Sequence, residues 1–130
     1  MRYLTGEVSD AYLMRSGPLP GYSIVPFRTR HVADPTELTR DELATWWDDI
    51  RTAVRAINDV YVPCHINYQI LGNSVPHIHA HLIPRYLDDP APMRRLRDQH
   101  WDGAARLTDD ELARQLAALR EAVARAGHPG

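Results

Sequence analysis

The stretch His77-Ile78-His79-Ala80-His81-Leu82-Ile83-Pro84 alternates imidazole with aliphatic side chains through three cycles. On an extended backbone successive side chains fall on opposite faces, so the three imidazoles share one face while Ile78, Ala80 and Leu82 turn toward a core. Neighbouring imidazoles are then expected roughly 6.5 to 7 Å apart along the strand. Ordinary sheet patterning favours β-branched and aromatic residues, and three histidines at period two are hard to obtain from it. Neutral imidazole is both a nucleophile or acid–base group near neutral pH and a ligand for zinc-like metals. The pattern alone leaves both uses open.

Residues 65–71 before this stretch alternate well enough for a strand, and Gly72-Asn73 is a turn signal. The histidine strand, expected over about 75–83, should therefore pair with them antiparallel. Residues 11–15 and 22–25 are two further strands, joined by the turn-rich segment 16–21. Between the two pairs, Thr39-Arg40-Asp41-Glu42 has the capping-box pattern, and Leu43, Trp46, Trp47, Ile50, Val54, Ile57 and Tyr61 follow at helical spacing. A helix over about 40–59 is predicted, closed by Pro63, with both tryptophans on the core-facing stripe. Residues 88–103 are irregular and hold Pro90, Pro92 and the basic group Arg94, Arg95 and Arg97, read as a solvated face, with Trp101 packing beneath. A second capping box, Thr108-Asp109-Asp110-Glu111, opens a closing helix with Leu112, Leu116, Leu119 and Val123 on one face. Residues 127–130 read as a frayed tail. This order predicts an α+β domain with an antiparallel sheet, because the turns between neighbouring strands are too short for parallel crossovers.

A chain of 130 residues fits a single domain, 1–130, able to bury a core without disulfide or structural metal. Net charge is -2 and 25% of residues are charged, which excludes the strong positive field of a general nucleic-acid binder. No apolar run reaches membrane-spanning length, and the start of the chain lacks a signal-peptide core. Cys64 is the one cysteine, so neither an internal disulfide nor a Cys-x-x-Cys knuckle can form, and a cytoplasmic protein is expected. All 15 basic residues are arginine. That excludes a lysyl Schiff base, a Walker-type phosphate lysine and a lysine nucleophile.

The run His-apolar-His-apolar-His-apolar-apolar, preceded by Gly72-Asn73-Ser74-Val75-Pro76, resembles the signature of the histidine triad family of nucleotide hydrolases and transferases. The likeness extends through Pro20-Gly21-Tyr22-Ser23-Ile24-Val25-Pro26, Arg30-His31-Val32 and the long helix, covering a core of about 10–86, with the C-terminal loop and helix at 87–130. Leu71-Gly72-Asn73-Ser74-Val75-Pro76-His77 and Pro84-Arg85-Tyr86 most resemble bacterial members of the diadenosine tetraphosphate hydrolase-like branch. The resemblance implies a sheet of about five strands, one long helix and a C-terminal helix. It also implies double displacement at a nucleoside α-phosphate, on dinucleoside polyphosphate or nucleoside phosphoramidate substrates. His79 would be the nucleophile and carry a nucleotidyl-histidine intermediate, while His77 and His81 donate to phosphate oxygens or pass a proton. Asn73, Ser74 and His31 would hold the phosphate. No cofactor is required on this reading, although a divalent metal can enter with the substrate, and the partners implied are the nucleotide and a second copy of the chain.

The chain departs from the family pattern in three places. Asn73 stands where many members carry glutamine, and the N-terminal cysteine pair of some zinc-bearing relatives is lacking. Met14 and Arg15 stand where an Asn or Asp often holds ribose hydroxyls, the nearest carboxylate being Asp10. Two readings of other classes compete: a metal-binding protein or metallohydrolase built on the three histidines, and a nucleotide-binding module without turnover. Against the first, residues 63–85 contain no Asp or Glu to complete or orient a ligand set.

Overall fold

In the computed structural model, which describes residues 1–102 and 104–126, strands β1 (Arg2–Thr5), β2 (Asp10–Leu13), β3 (Ser23–Pro26), β4 (His65–Gln69) and β5 (His79–Arg85) form one antiparallel sheet. Its order is β1-β2-β3-β5-β4, so the histidine-bearing strand lies inside the sheet and β4 forms an edge. Helices α1 (Arg40–Tyr61), α2 (Asp98–Trp101) and α3 (Asp109–Arg125) complete the fold.

Alternation divides the sheet into two unlike faces. Val25, Ala80 and Leu82 face α1 and α3 and pack with Leu4, Leu13, Trp46, Ile50, Ile57, Leu116, Leu119 and Val123 in one buried cluster. Each fully buried large aliphatic side chain there contributes about 1.5 to 3 kcal/mol relative to exposure. Trp46 is wholly buried and also donates its indole N–H to the Val25 carbonyl at 3.3 Å. The opposite face carries His79 and His81, and beyond them a second cluster of Leu19, Tyr22 and Ile83 that Leu96 and Trp101 cover from the 88–102 segment.

Helix α1 starts as its sequence predicts: the Thr39 side chain accepts from the Glu42 amide and the Glu42 carboxylate accepts from the Thr39 amide. It runs to Tyr61, two residues past the predicted end, and Val62 closes it in the left-handed conformation before Pro63. The predicted second capping box is only half formed. Thr108 caps α3 by accepting from the Glu111 amide, but the Glu111 carboxylate turns to the Thr108 hydroxyl instead of the backbone.

Trp47 also departs from expectation, being 40% exposed. It sits one residue past the buried stripe of α1, and there its ring meets Tyr68 of β4 at a centroid separation of 5.9 Å. Strand β1 was not expected from the residue pattern; it pairs antiparallel with β2. The predicted tail 127–130 lies outside the described residues.

Candidate active site

The histidine strand begins at His79, not near residue 75, and continues to Arg85. Residues 73–75 and 77 form bends, so His77 precedes the strand while keeping its alternation, half-buried beside the buried Ile78. Cross-strand register places Ile24 and Gln69 opposite His81, and Pro26 opposite His79. The rings of His79 and His81 lie with centroids 4.8 Å apart at 61°, closer than backbone spacing alone implies because the rings tilt toward one another.

Each histidine has a distinct set of partners. His79 donates Nδ1–H to the carbonyl of His77 at 2.7 Å, since a carbonyl can only accept. The neutral His79 ring therefore keeps its lone pair on Nε2. His77 donates Nε2–H to the Phe27 carbonyl, and its Nδ1 faces the Val32 amide at 3.4 Å and Nδ1 of His31 at 3.2 Å. His31 and His77 are near-parallel, 5.2 Å between centroids. Both nitrogens of His77 are thus engaged in tying the 27–32 segment to the approach of β5. His81 meets the hydroxyl of Tyr22 through Nδ1 at 2.7 Å, and burial together with the neighbouring His79 lowers its pKa below that of free imidazole.

Asn73 and Ser74 are exposed on the segment joining β4 to His77. A recess of about 310 Å³ lies beside His79, lined by residues 33–36 and 70–72 together with Ile78. Arg15, at the position where the resemblance leads one to expect a ribose-binding side chain, is committed to α3: it donates to Asp109 at 2.7 Å and to the Leu107 carbonyl at 3.4 Å. Asp10 is buried and accepts from Arg28 and, at 3.5 Å, from Tyr12. Neither Arg15 nor Asp10 is free for a sugar. Arg94, Arg95 and Arg97 are exposed on the covering segment, as expected of a solvated face.

Among the described residues no three His, Cys, Asp or Glu side chains converge as ligands of one metal ion. The residue that sequence reasoning missed is Tyr22, which sequence reads only as the start of a strand. Its signal was a phenol directly after the Pro20-Gly21 turn, on a strand able to pair with the histidine strand.

The HIT domain model matches residues 5–88. A bis(5'-adenosyl)-triphosphatase of Saccharomyces cerevisiae is 36% identical over 98 residues, covering 70% of this chain and 47% of that protein. The chain thus spans about half the length of the curated relatives it matches. A histidine triad protein from Bradyrhizobium japonicum superposes with a TM-score of 0.83 at 20% identity, over 95% of this chain and 90% of the other. One from Marinobacter aquaeolei does so with 0.83 at 21% identity, over 96% and 89%. These likenesses carry the fold.

Proposed function

This chain belongs to the HIT domain family, and from that premise we propose that it is a nucleotide hydrolase or nucleotidyl transferase acting at a nucleoside α-phosphate with His79 as nucleophile. The observation that carries the reading is the bond from Nδ1–H of His79 to the His77 carbonyl, which leaves Nε2 unprotonated on the open side of the sheet. The Nε2 lone pair forms a bond to the α-phosphorus, and the bond from phosphorus to the leaving group breaks with its electrons departing on that group. The ring becomes a nucleotidyl-imidazolium whose remaining proton stays on Nδ1, donated to the His77 carbonyl. Water then attacks phosphorus, the P–N bond returns its pair to Nε2, and the nucleoside monophosphate leaves after the water passes a proton to solvent.

His81 stands beside the reacting nitrogen to donate to phosphate oxygens, and Asn73 and Ser74 are near enough in sequence to His77 to hold the distal oxygens when the substrate orders their segment. The substrates proposed are dinucleoside polyphosphates, the class named by the yeast relative, with nucleoside phosphoramidates as the second class. No resident metal is needed for these steps, and a divalent ion would arrive on the polyphosphate. Two copies would associate through the open edge of β4 and the neighbouring Trp47 and Tyr68, whose exposure is costly in an isolated chain.

Trapping the intermediate tests the assignment. The protein is mixed with adenosine phosphoramidate labelled in the adenosine, quenched rapidly and digested, and the label is located by peptide mass. Label on His79 that disappears in His79→Ala is expected. Turnover retained by His79→Ala, or label on another residue, overturns it.

A further inference from the structure

The geometry around His81 extends the hydrolase reading and rests on it. We propose that Tyr22 is a positioning residue that holds His81 as the neutral tautomer protonated on Nε2, so that His81 serves the substrate as a fixed hydrogen-bond donor and not as an acid that gives up a proton.

The phenol and imidazole planes differ by only 4°, with centroids 6.0 Å apart and the hydroxyl 2.7 Å from Nδ1. The planes are near-parallel, and the 2.7 Å separation puts the hydroxyl within hydrogen-bond reach of Nδ1. Between the two groups, the phenol is the better donor and the imidazole nitrogen the better acceptor, so the O–H donates and Nδ1 accepts. The proton of the neutral ring is then on Nε2.

Tyr22 is held firmly enough to impose this choice. It is 7% exposed, packs with Leu19 and Ile83, and receives the edge of Trp101 at 5.0 Å and 78°. Before it, Gly21 has φ +85, and a Cβ there would meet Tyr61 at 2.9 Å and Pro84 at 3.1 Å, so the turn that aims Tyr22 requires glycine. Burial raises the Tyr22 pKa to about 12, which keeps its proton on the phenol. The titratable groups against His81 are His79 on its own strand and Tyr22 from the approach to β3, while its partner on β4, Gln69, is uncharged.

A neutral His81 cannot release its Nε2 proton without becoming an imidazolate, because Tyr22 resists passing a proton to Nδ1. Leaving groups that depart as stable anions, such as the phosphate oxygen of a phosphoanhydride, need no proton. Alkylamines leaving from phosphoramidates do. The site therefore favours phosphate leaving groups.

The test compares wild type with Tyr22→Phe on diadenosine triphosphate and on an N-alkyl adenosine phosphoramidate between pH 5 and 8, alongside ¹⁵N spectra of the histidine rings. Expected in wild type are an unprotonated Nδ1 on His81 and a kcat/KM that favours the triphosphate. In Tyr22→Phe, kcat is expected to fall about tenfold with little change in KM. The acid limb should move to higher pH, because the neutral ring has lost its donor, and the tautomers should mix. A wild-type His81 protonated on Nδ1, or an acid limb and tautomer unchanged in Tyr22→Phe, overturns the proposal. A fall in Tm and rate together, with no movement of the pH profile, would assign Tyr22 to packing alone and also overturn it. If wild type shows the expected tautomer but cleaves neither substrate, the hydrolase reading falls and the tautomer assignment stands.

Discussion

The Nδ1 nitrogen of His79 lies 2.7 Å from the backbone carbonyl oxygen of its neighbour His77, a partner that no side-chain substitution at residue 77 removes. The orientation of the proposed nucleophile is thus built into the main chain, while the His77 ring is spent on Phe27 and His31. His77→Ala should therefore lower kcat by only about tenfold, whereas His79→Ala should lose at least about a thousandfold. His77→Ala should also lower stability by about 1 to 2 kcal/mol, because the Phe27 carbonyl is left without its donor. Steady-state rates and urea denaturation of the two variants separate these effects. Equal loss of turnover in both would show instead that the His77 ring acts on the phosphate.

Trp47 and Tyr68 bring an α1 side chain and an edge-strand side chain together at the surface, 40% and 47% exposed. If a second copy covers them, Trp47→Glu should convert a dimer to a folded monomer in sedimentation equilibrium, with far-UV circular dichroism unchanged. A wild-type monomer at micromolar concentration would remove this basis for association.

Arg85, at the end of the histidine strand, is buried and fully matched: it donates to both carboxylate oxygens of Asp89, to Asn67 and to the Ala91 carbonyl. Asp89 in turn accepts from the amides of Tyr86 and Ala91, and its bonds to Arg85 hold its carboxyl below the usual range. This pair starts the segment that carries Leu96 and Trp101 over the site face. Asp89→Ala strands a buried guanidinium and should cost about 3 to 5 kcal/mol in urea denaturation. A loss below about 1 kcal/mol would mean that water reaches Arg85 and that the segment is anchored elsewhere.

How far the sequence could be read depended on the range of the interactions involved. The facing of His79 and His81, the Thr39 cap and the buried stripes of α1 and α3 follow from local periodicity and hydrogen bonding, which neighbouring residues determine. Trp47 escaped because a position on the rim of a helical stripe is buried or exposed according to what lies across from it, here Tyr68 on β4. The role of Tyr22 escaped for the same reason, its partner being 59 residues away. The commitment of Arg15 to Asp109 depends on α3 returning across the Pro-Gly turn, a contact that no local pattern encodes.

The pH dependence of stability offers a measurement of His81 that needs no substrate. Burial first, and the adjacent His79 second, lower its pKa in the folded protein below the ordinary imidazole value of about 6.5. Between the two values the unfolded chain binds the proton and the folded chain does not. Protonation then favours unfolding, and stability falls as pH drops from about 6.5 through the lower folded pKa. Above about 6.5 both states are neutral at this position and the loss is absent. His81→Gln removes the titration while keeping a polar group of similar reach. The Tm of wild type relative to His81→Gln should therefore be highest near pH 8 and decline toward pH 5. A constant difference across that range would mean that the ring takes up its proton in the folded state as readily as in the unfolded chain, which the partly buried contact with Tyr22 argues against.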